Sequence, residues 1–188
     1  GREASFRDMA LSHARTTMAH HFRADHSSWH VVDYVPHTGA VRGKHTHQGY
    51  SDDSAWARGQ SWGLYGYTMT YRESRDPTFL DQAQKIARFL LDHPNLPADK
   101  VPYWDYDAPN IPDELRDASA GAIMCSALIE LSQLAQEPSY LAAADVILRS
   151  LASPAYRAQQ VGENHGFILK HSVGSIPGEF EVDTPINY

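Results

Sequence analysis

The chain has 188 residues, of which 42% are hydrophobic and 21% charged, with a formal net charge of −7. This length supports one domain with a hydrophobic core, and the composition is that of a globular protein. The acidic balance argues against nucleic acid as a partner. Ser119, Ser126 and Glu130 interrupt the longest apolar run, which argues against a membrane span. Cys125 is the single cysteine, so it forms no disulfide within the chain and is expected in the core.

Two elements are predicted in the first quarter of the chain. Apolar residues between Phe6 and His21 recur with helical spacing and predict an amphipathic helix. Residues 29–34 and 40–46 are rich in β-branched and aromatic side chains and flank a Pro-His-Thr-Gly turn, which predicts a β-hairpin.

The following helices form a repeat. A proline follows Asp76 and another follows Glu137, 61 residues later, and each opens an amphipathic helix. More apolar helices, predicted over 55–71 and 119–135, precede them. This pairing is typical of the inner and outer helices of an α/α toroid. A closed barrel of six such hairpins needs about 360 residues, so the sequence predicts about half of an all-α (α/α)6 toroid, with short β-hairpins in its loops.

The connecting segments are long. Residues 93–112 are rich in proline and asparagine and are predicted to form an ordered loop, a class of segment that is often functional. Residues 161–173 and 181–186 are predicted to form short strands. Ser51 or Asp52 is the predicted N-cap of the first inner helix.

The segment from His45 to Trp62 contains the densest set of candidate binding residues. Arg58 and Trp62 are four residues apart on one helix face, where a guanidinium can hold a carboxylate and an indole can stack on a sugar ring. His47 and Gln48 add hydrogen-bonding groups from the preceding loop. Two alternatives stay open, because Arg58 can pair with a nearby Asp52 or Asp53 and Trp62 can be a core residue. His45 and His47 lie close together, but no metal-binding motif accompanies them, so no metal is expected.

A second candidate pocket combines Trp104 and Asp105, in an aromatic and acidic loop, with Asp117. The two carboxylates could form a glycosidase pair. The sequence favours another role for Asp117, as the N-cap of the helix that starts at Ala118.

The run from His47 to Gly63 resembles the signature of the unsaturated glucuronyl hydrolases, glycoside hydrolase family 88. Residues 71–73, 95–97, 101–105, 116–120 and 171–174 resemble further motifs of that family, in its order and spacing. The resemblance implies an (α/α)6 barrel that hydrates the C4=C5 bond of a 4,5-unsaturated glucuronic acid, at the non-reducing end of oligosaccharides left by polysaccharide lyases. It implies no metal and no organic cofactor.

By motif match, the resemblance implies that the substrate is bound by His30, His47, Gln48, Arg58 and Trp62. The two catalytic aspartates of the family match no residue of this chain and are expected upstream of it. Residues 1–188 are therefore expected to be the C-terminal portion of a single barrel domain. Ser175 matches only the first position of the run by which some members recognise sulfate, so a strong preference for sulfated sugars is not expected.

The expected partners are an unsaturated uronic-acid oligosaccharide and either the missing N-terminal half of the barrel or a second copy, with no nucleic acid and no membrane. A half-barrel would leave inner-helix faces such as those of Trp56 and Leu64 exposed. Two alternatives stay open: an unsaturated rhamnogalacturonyl hydrolase and, for this chain alone, a non-catalytic carbohydrate-binding module. The compartment is left open between cytoplasm and periplasm.

Overall fold

The computed structural model describes residues 2–186, with side chains from residue 4. Helices dominate the described part. The elements, in chain order, are α1 Arg2–His20, β1 Val31–Tyr34, β2 Val41–His45, α2 Ala57–Ser74, α3 Pro77–Asp92, α4 Ala118–Ala135 and α5 Pro138–Ala152. β1 and β2 pair antiparallel, which confirms the predicted hairpin.

The predicted pairing of inner and outer helices is confirmed. α2 and α4 pack against each other, and each also packs against the amphipathic helix that follows it, α3 or α5. On α3 the buried apolar face consists of Phe79, Ala83, Ile86, Ala87 and Leu90. Removing such a face from water is the main stabilising term for a helix that is otherwise polar. The arrangement is that of part of an α/α toroid.

The helix ends repeat in the same way. Asp76 caps α3 and Glu137 caps α5, each accepting a hydrogen bond from the amide two residues further on. The residues that follow α2 and α4, Arg75 and Gln136, are both in the left-handed conformation, with φ of 60° and 53°. The repeat seen in the sequence is therefore a repeat of one helical hairpin with the same start and stop signals.

α4 is the central helix of the bundle. By length and composition Ala118–Ala135 is apolar enough to cross a membrane, but 61% of it is buried inside the protein. Ala120, Met124, Leu128 and Leu131 belong to the same core cluster as the buried face of α3. Its apolar character is thus explained by packing on both sides, against α2 and α5.

The prediction that Trp56 and Leu64 would be exposed is wrong. Their exposed fractions are 7% and 0%, because Leu64 joins the core cluster and Trp56 is covered by the side chains of His30 and Arg58. Other apolar side chains are exposed instead: Phe6, Met9, Trp62, Met69, Ile129 and Leu148.

The last part of the described chain is irregular. Residues 161–173 and 181–186 contain no strand, in contrast to the prediction. They contain a short 3-10 helix, Glu163–Gly166, and isolated bridges such as Ser172 with Thr184. His171, Glu181 and Asp183 have φ values of 62°, 50° and 49°, which interrupt an extended backbone.

Candidate functional site

A buried carboxylate organises the turn 46–54. Asp105 is fully buried, and its Oδ2 accepts hydrogen bonds from the amide of Tyr50 at 2.9 Å and the hydroxyl of Ser54 at 2.7 Å. Its Oδ1 accepts from the amide of Asp107 at 2.9 Å. Burial raises the pKa of Asp105, and these donors oppose the rise. Asp105 and the equally buried Trp104 therefore form the framework under the turn and do not line an open pocket.

The start of α2 depends on the same framework. Trp56 occupies the N-cap position and makes no side-chain cap, so the prediction that Ser51 or Asp52 caps this helix is wrong. The amide of Ala57 donates to the carbonyl of Trp104 at 3.1 Å. This carbonyl, which is distant in sequence, thus accepts from a first-turn amide of the helix, a role expected of a nearby side chain.

Arg58 is the second residue of α2 and is only 1% exposed. Its Nη1 donates to Asp117 Oδ2 at 2.8 Å and to the carbonyl of Val173 at 2.7 Å, and its Nη2 donates to the carbonyl of Gly174 at 3.1 Å. The alternative pairing with Asp52 or Asp53 is not what the structure shows. The guanidinium instead joins the start of α2, the start of α4 and the loop at 173–174.

Asp117 carries out two tasks at once. It caps α4, as predicted, with Oδ1 accepting from the amides of Ser119 at 3.0 Å and Ala120 at 3.3 Å. Its other oxygen accepts from Arg58. Burial raises the pKa of this carboxyl group, and the positive charge of Arg58 and the cap hydrogen bonds oppose the rise. Because Asp117 is 0% exposed, it supports the site from within and does not face a ligand.

His30 contacts the turn through one ring nitrogen. Its Nδ1 lies 3.1 Å from the amide nitrogen of His47 and 3.2 Å from that of Gln48. The ring stacks on Trp56, with centroids 4.3 Å apart and planes at 25°. Burial, followed by the charges of His47 and Arg58, lowers the pKa of His30 to about 4.

The predicted binding residues form one connected cluster. Gln48 Nε2 donates at 2.8 Å to the carbonyl of Gly174, which also accepts from Arg58. Arg58 in turn lies 4.7 Å above the ring of Trp56, on which His30 stacks. The structure therefore brings His30, His47, Gln48 and Arg58 together, although they are spread over 29 positions.

Trp62 lies four residues after Arg58, about one turn further along α2. It is 39% exposed, so it is not a plain core residue. Its ring lines a cavity of about 370 Å³ together with His30 and Trp29. It also lines a larger, mostly apolar cavity of about 990 Å³ between α4, α5 and residues 166–169. Trp62 is thus the member of the set that presents a flat apolar surface to both openings.

Within the part of the chain that the structure describes, no group of three or more histidine, cysteine, aspartate or glutamate side chains is placed to hold an ion. His45 lies 3.8 Å from Asp33, and His47 faces His30.

Two features of the site were missed in the sequence. Trp56 connects His30 to Arg58 but was assigned only to an inner-helix face. The carbonyls of Val173 and Gly174 complete the cluster. Both lie inside the motifs that carry the family resemblance, so the signal was present, but backbone acceptors cannot be identified from residue type.

No family model matches the chain. Over 183 residues it is 46% identical to an unsaturated glucuronyl hydrolase of Formosa agariphila, covering 97% of this chain and 46% of that protein. A crystal structure of an unsaturated glucuronyl hydrolase specific for heparin superposes with a TM-score of 0.94 at 50% identity, covering 96% of this chain and 49% of that one.

A third similar protein is a mutant unsaturated glucuronyl hydrolase from Streptococcus agalactiae, solved in complex with dGlcA-GalNAc6S, at 31% identity and a TM-score of 0.81. The match covers 95% of this chain and 48% of that protein. The chain thus spans about half the length of the relatives it matches. Over this span, the chain is similar to unsaturated glucuronyl hydrolases in both sequence and fold.

Proposed function

We propose that this chain is part of a glycoside hydrolase that removes a 4,5-unsaturated glucuronic acid from the non-reducing end of lyase-generated oligosaccharides. The observation that carries the proposal is the structural likeness to unsaturated glucuronyl hydrolases along nearly the whole chain, at TM-scores up to 0.94. The connected cluster of His30, Gln48 and Arg58 lies in the run from which the resemblance was inferred.

The proposed reaction is a hydration and not a displacement at the anomeric carbon. A carboxylic acid donates a proton to C4, and the resulting carboxylate accepts a proton from the water whose oxygen bonds to C5. The hemiketal opens by breaking the C5–O5 bond, with its hydroxyl proton passing to O5. The hemiacetal left at C1 then releases the second sugar as an alcohol. One water is consumed, and no redox partner is needed.

The described residues suit the binding side of this reaction. Trp62 offers a partly exposed ring on which a sugar can pack. Gln48 and His30 carry neutral hydrogen-bond donors at the neighbouring turn. We assign substrate contacts to these residues and to His47. Arg58 belongs to the same set, because it fixes the loop that Gln48 contacts.

We further propose that residues 1–188 are the C-terminal portion of one barrel domain, and that the catalytic aspartates lie in the remainder. Asp105 and Asp117 are fully buried and bonded to protein donors, so neither is placed to protonate a sugar. The exposed Phe6, Met9 and Ile129 support a second segment, or a second copy, that covers these faces.

The test follows the ultraviolet absorbance of the conjugated C4=C5 bond in an unsaturated glucuronyl disaccharide. We would compare this chain with the longer protein that contains it, and a sulfated with an unsulfated disaccharide. Absorbance loss with the longer protein alone supports both parts of the proposal. Loss with this chain alone would place the catalytic acid among its own carboxylates and overturn the division proposed above.

A matched pair of variants connects the activity to this site. In the longer protein, Gln48→Ala removes the hydrogen bond to Gly174, and we expect at least a tenfold lower kcat/KM. Gln133→Ala changes the same residue type at an exposed position of α4 and should leave kcat/KM unchanged. Equal effects of the two variants, or no turnover of any unsaturated glucuronide, would contradict the proposed function.

A further inference from the structure

One ring nitrogen contacts three consecutive residues of the turn, Thr46, His47 and Gln48. His30 Nδ1 lies 3.1 Å from the amide of His47, 3.2 Å from the amide of Gln48 and 3.2 Å from the hydroxyl of Thr46. A backbone amide can only donate a hydrogen bond. Nδ1 must therefore present its lone pair to both amides, and it cannot carry a proton itself.

In the neutral ring, the proton must therefore be on Nε2. The surroundings also disfavour a second proton. The ring is half-buried and stacked on Trp56, and the titratable groups that act on it, His47, Arg58 and His45, are all basic. Burial and, to a lesser extent, these neighbours lower the pKa of His30 to about 4, far below the ordinary value of 6.5.

We infer that His30 is a positioning residue: its Nδ1 fixes the backbone at His47 and Gln48, and the same contact restricts its ring to the Nε2–H tautomer. His30 then offers a substrate a hydrogen-bond donor and no basic nitrogen, so it takes no part as a general base. The role of His30 in positioning the binding cluster rests on the proposed function. Its tautomer and the geometry of the turn can be measured without a substrate.

The position of Gln48 depends on this contact. The Gln48 side chain reaches the carbonyl of Gly174 at 2.8 Å, and the Gln48 amide is one of the two groups that His30 holds. A turn released from His30 would move the Gln48 side chain away from the 173–174 loop. His30 thus acts on the binding cluster through Gln48.

Two substitutions separate the two nitrogens of the ring. In His30→Asn, the side-chain oxygen lies as many bonds from Cα as Nδ1 does, so it can accept from the two amides. In His30→Gln, the side-chain nitrogen corresponds to Nε2, and the acceptor at the Nδ1 position is lost. We expect hydrogen exchange at the amides of His47 and Gln48 to be nearly unchanged in His30→Asn and about tenfold faster in His30→Gln.

The second measurement uses the unmodified protein with ¹⁵N-labelled histidine. The ring of His30, assigned through bonds from its own Cβ, should show an unprotonated Nδ1 and a protonated Nε2 between about pH 5 and pH 8. A protonated Nδ1 in this range, or equal exchange rates in the two variants, would overturn the inference. Failure of the proposed function would appear separately, as no turnover of the disaccharide with the tautomer intact.

Discussion

The ion pair between Arg58 and Asp117 is the contact whose loss should destabilise the protein most. The two groups are 1% and 0% exposed, and Nη1 and Oδ2 are 2.8 Å apart. Removing one partner of a buried pair costs about 3–5 kcal/mol, because the remaining charge stays buried. Asp117→Ala also removes the N-cap of α4, at a cost of about 1 kcal/mol. We therefore expect Asp117→Ala to lower the free energy of unfolding by about 4–6 kcal/mol.

Asp117→Asn separates the charge from the cap. Asparagine caps a helix about as well as aspartate, so this variant should lose only the part of the free energy that is due to charge, about 3–5 kcal/mol. Glu137→Ala is the matched control. Glu137 caps α5 at the exposed start of the repeat, and its loss removes a cap without leaving a buried charge. It should be the mildest of the three variants.

Urea unfolding followed by far-ultraviolet circular dichroism gives the three free energies. The double variant Arg58→Met with Asp117→Asn completes a cycle, and it should be less destabilised than the sum of its single variants. A loss below about 1 kcal/mol for Asp117→Asn, the range of a surface ion pair, would refute the reasoning. So would strict additivity in the cycle.

Three further outcomes are expected. Gly49→Ala should lower the free energy of unfolding in urea by about 1–3 kcal/mol, because the new Cβ would lie 2.6 Å from Thr46 Oγ1. Gly66→Ala, where the new Cβ has nothing within 4 Å, should stabilise α2 by about 0.5–1 kcal/mol. The reverse order of the two stabilities would contradict this expectation. Since the pKa of His30 is lowered to about 4 in the folded state, the unfolded chain binds that proton first as pH falls from about 6.5. The stability contributed by His30 is therefore complete above about pH 6.5 and lost as pH falls through 4. Between these pH values, the slope of unfolding free energy against pH should be steeper for wild type than for His30→Asn. In the longer protein, Trp62→Ala should raise KM about tenfold with an unchanged melting temperature, and a large drop in that temperature would instead make Trp62 a core residue.

The helices could be predicted from the sequence because their signals are local. Apolar spacing, the prolines after Asp76 and Glu137, and the cap at Asp117 each act within a few residues of where they stand. Packing then pairs helices that already have one apolar face. The local prediction is wrong at the start of α2. There the amide of Ala57 donates to the carbonyl of Trp104, which is distant in sequence, and no nearby side chain caps the helix.

The site was predicted as a set of residues but not as a set of contacts. The partner of Arg58 is 59 positions away, whereas the sequence suggested an aspartate five or six positions before it. A guanidinium is equally suited to any carboxylate, so only the fold decides which one it meets. The carbonyl of Gly174 could not be predicted at all, because every residue type carries one.

The buried pair also constrains how a uronate can be recognised. Asp117 balances the charge of Arg58 within 2.8 Å, and the guanidinium makes further hydrogen bonds to two carbonyls. Arg58 therefore contributes little net positive potential at the site. The side-chain donors of Gln48, and of His30 as its Nε2–H tautomer, are neutral. A carboxylate that binds to these two donors would be held by hydrogen bonds, whose strength depends on their length and direction. Its affinity should therefore depend on the geometry of the turn more than on ionic strength.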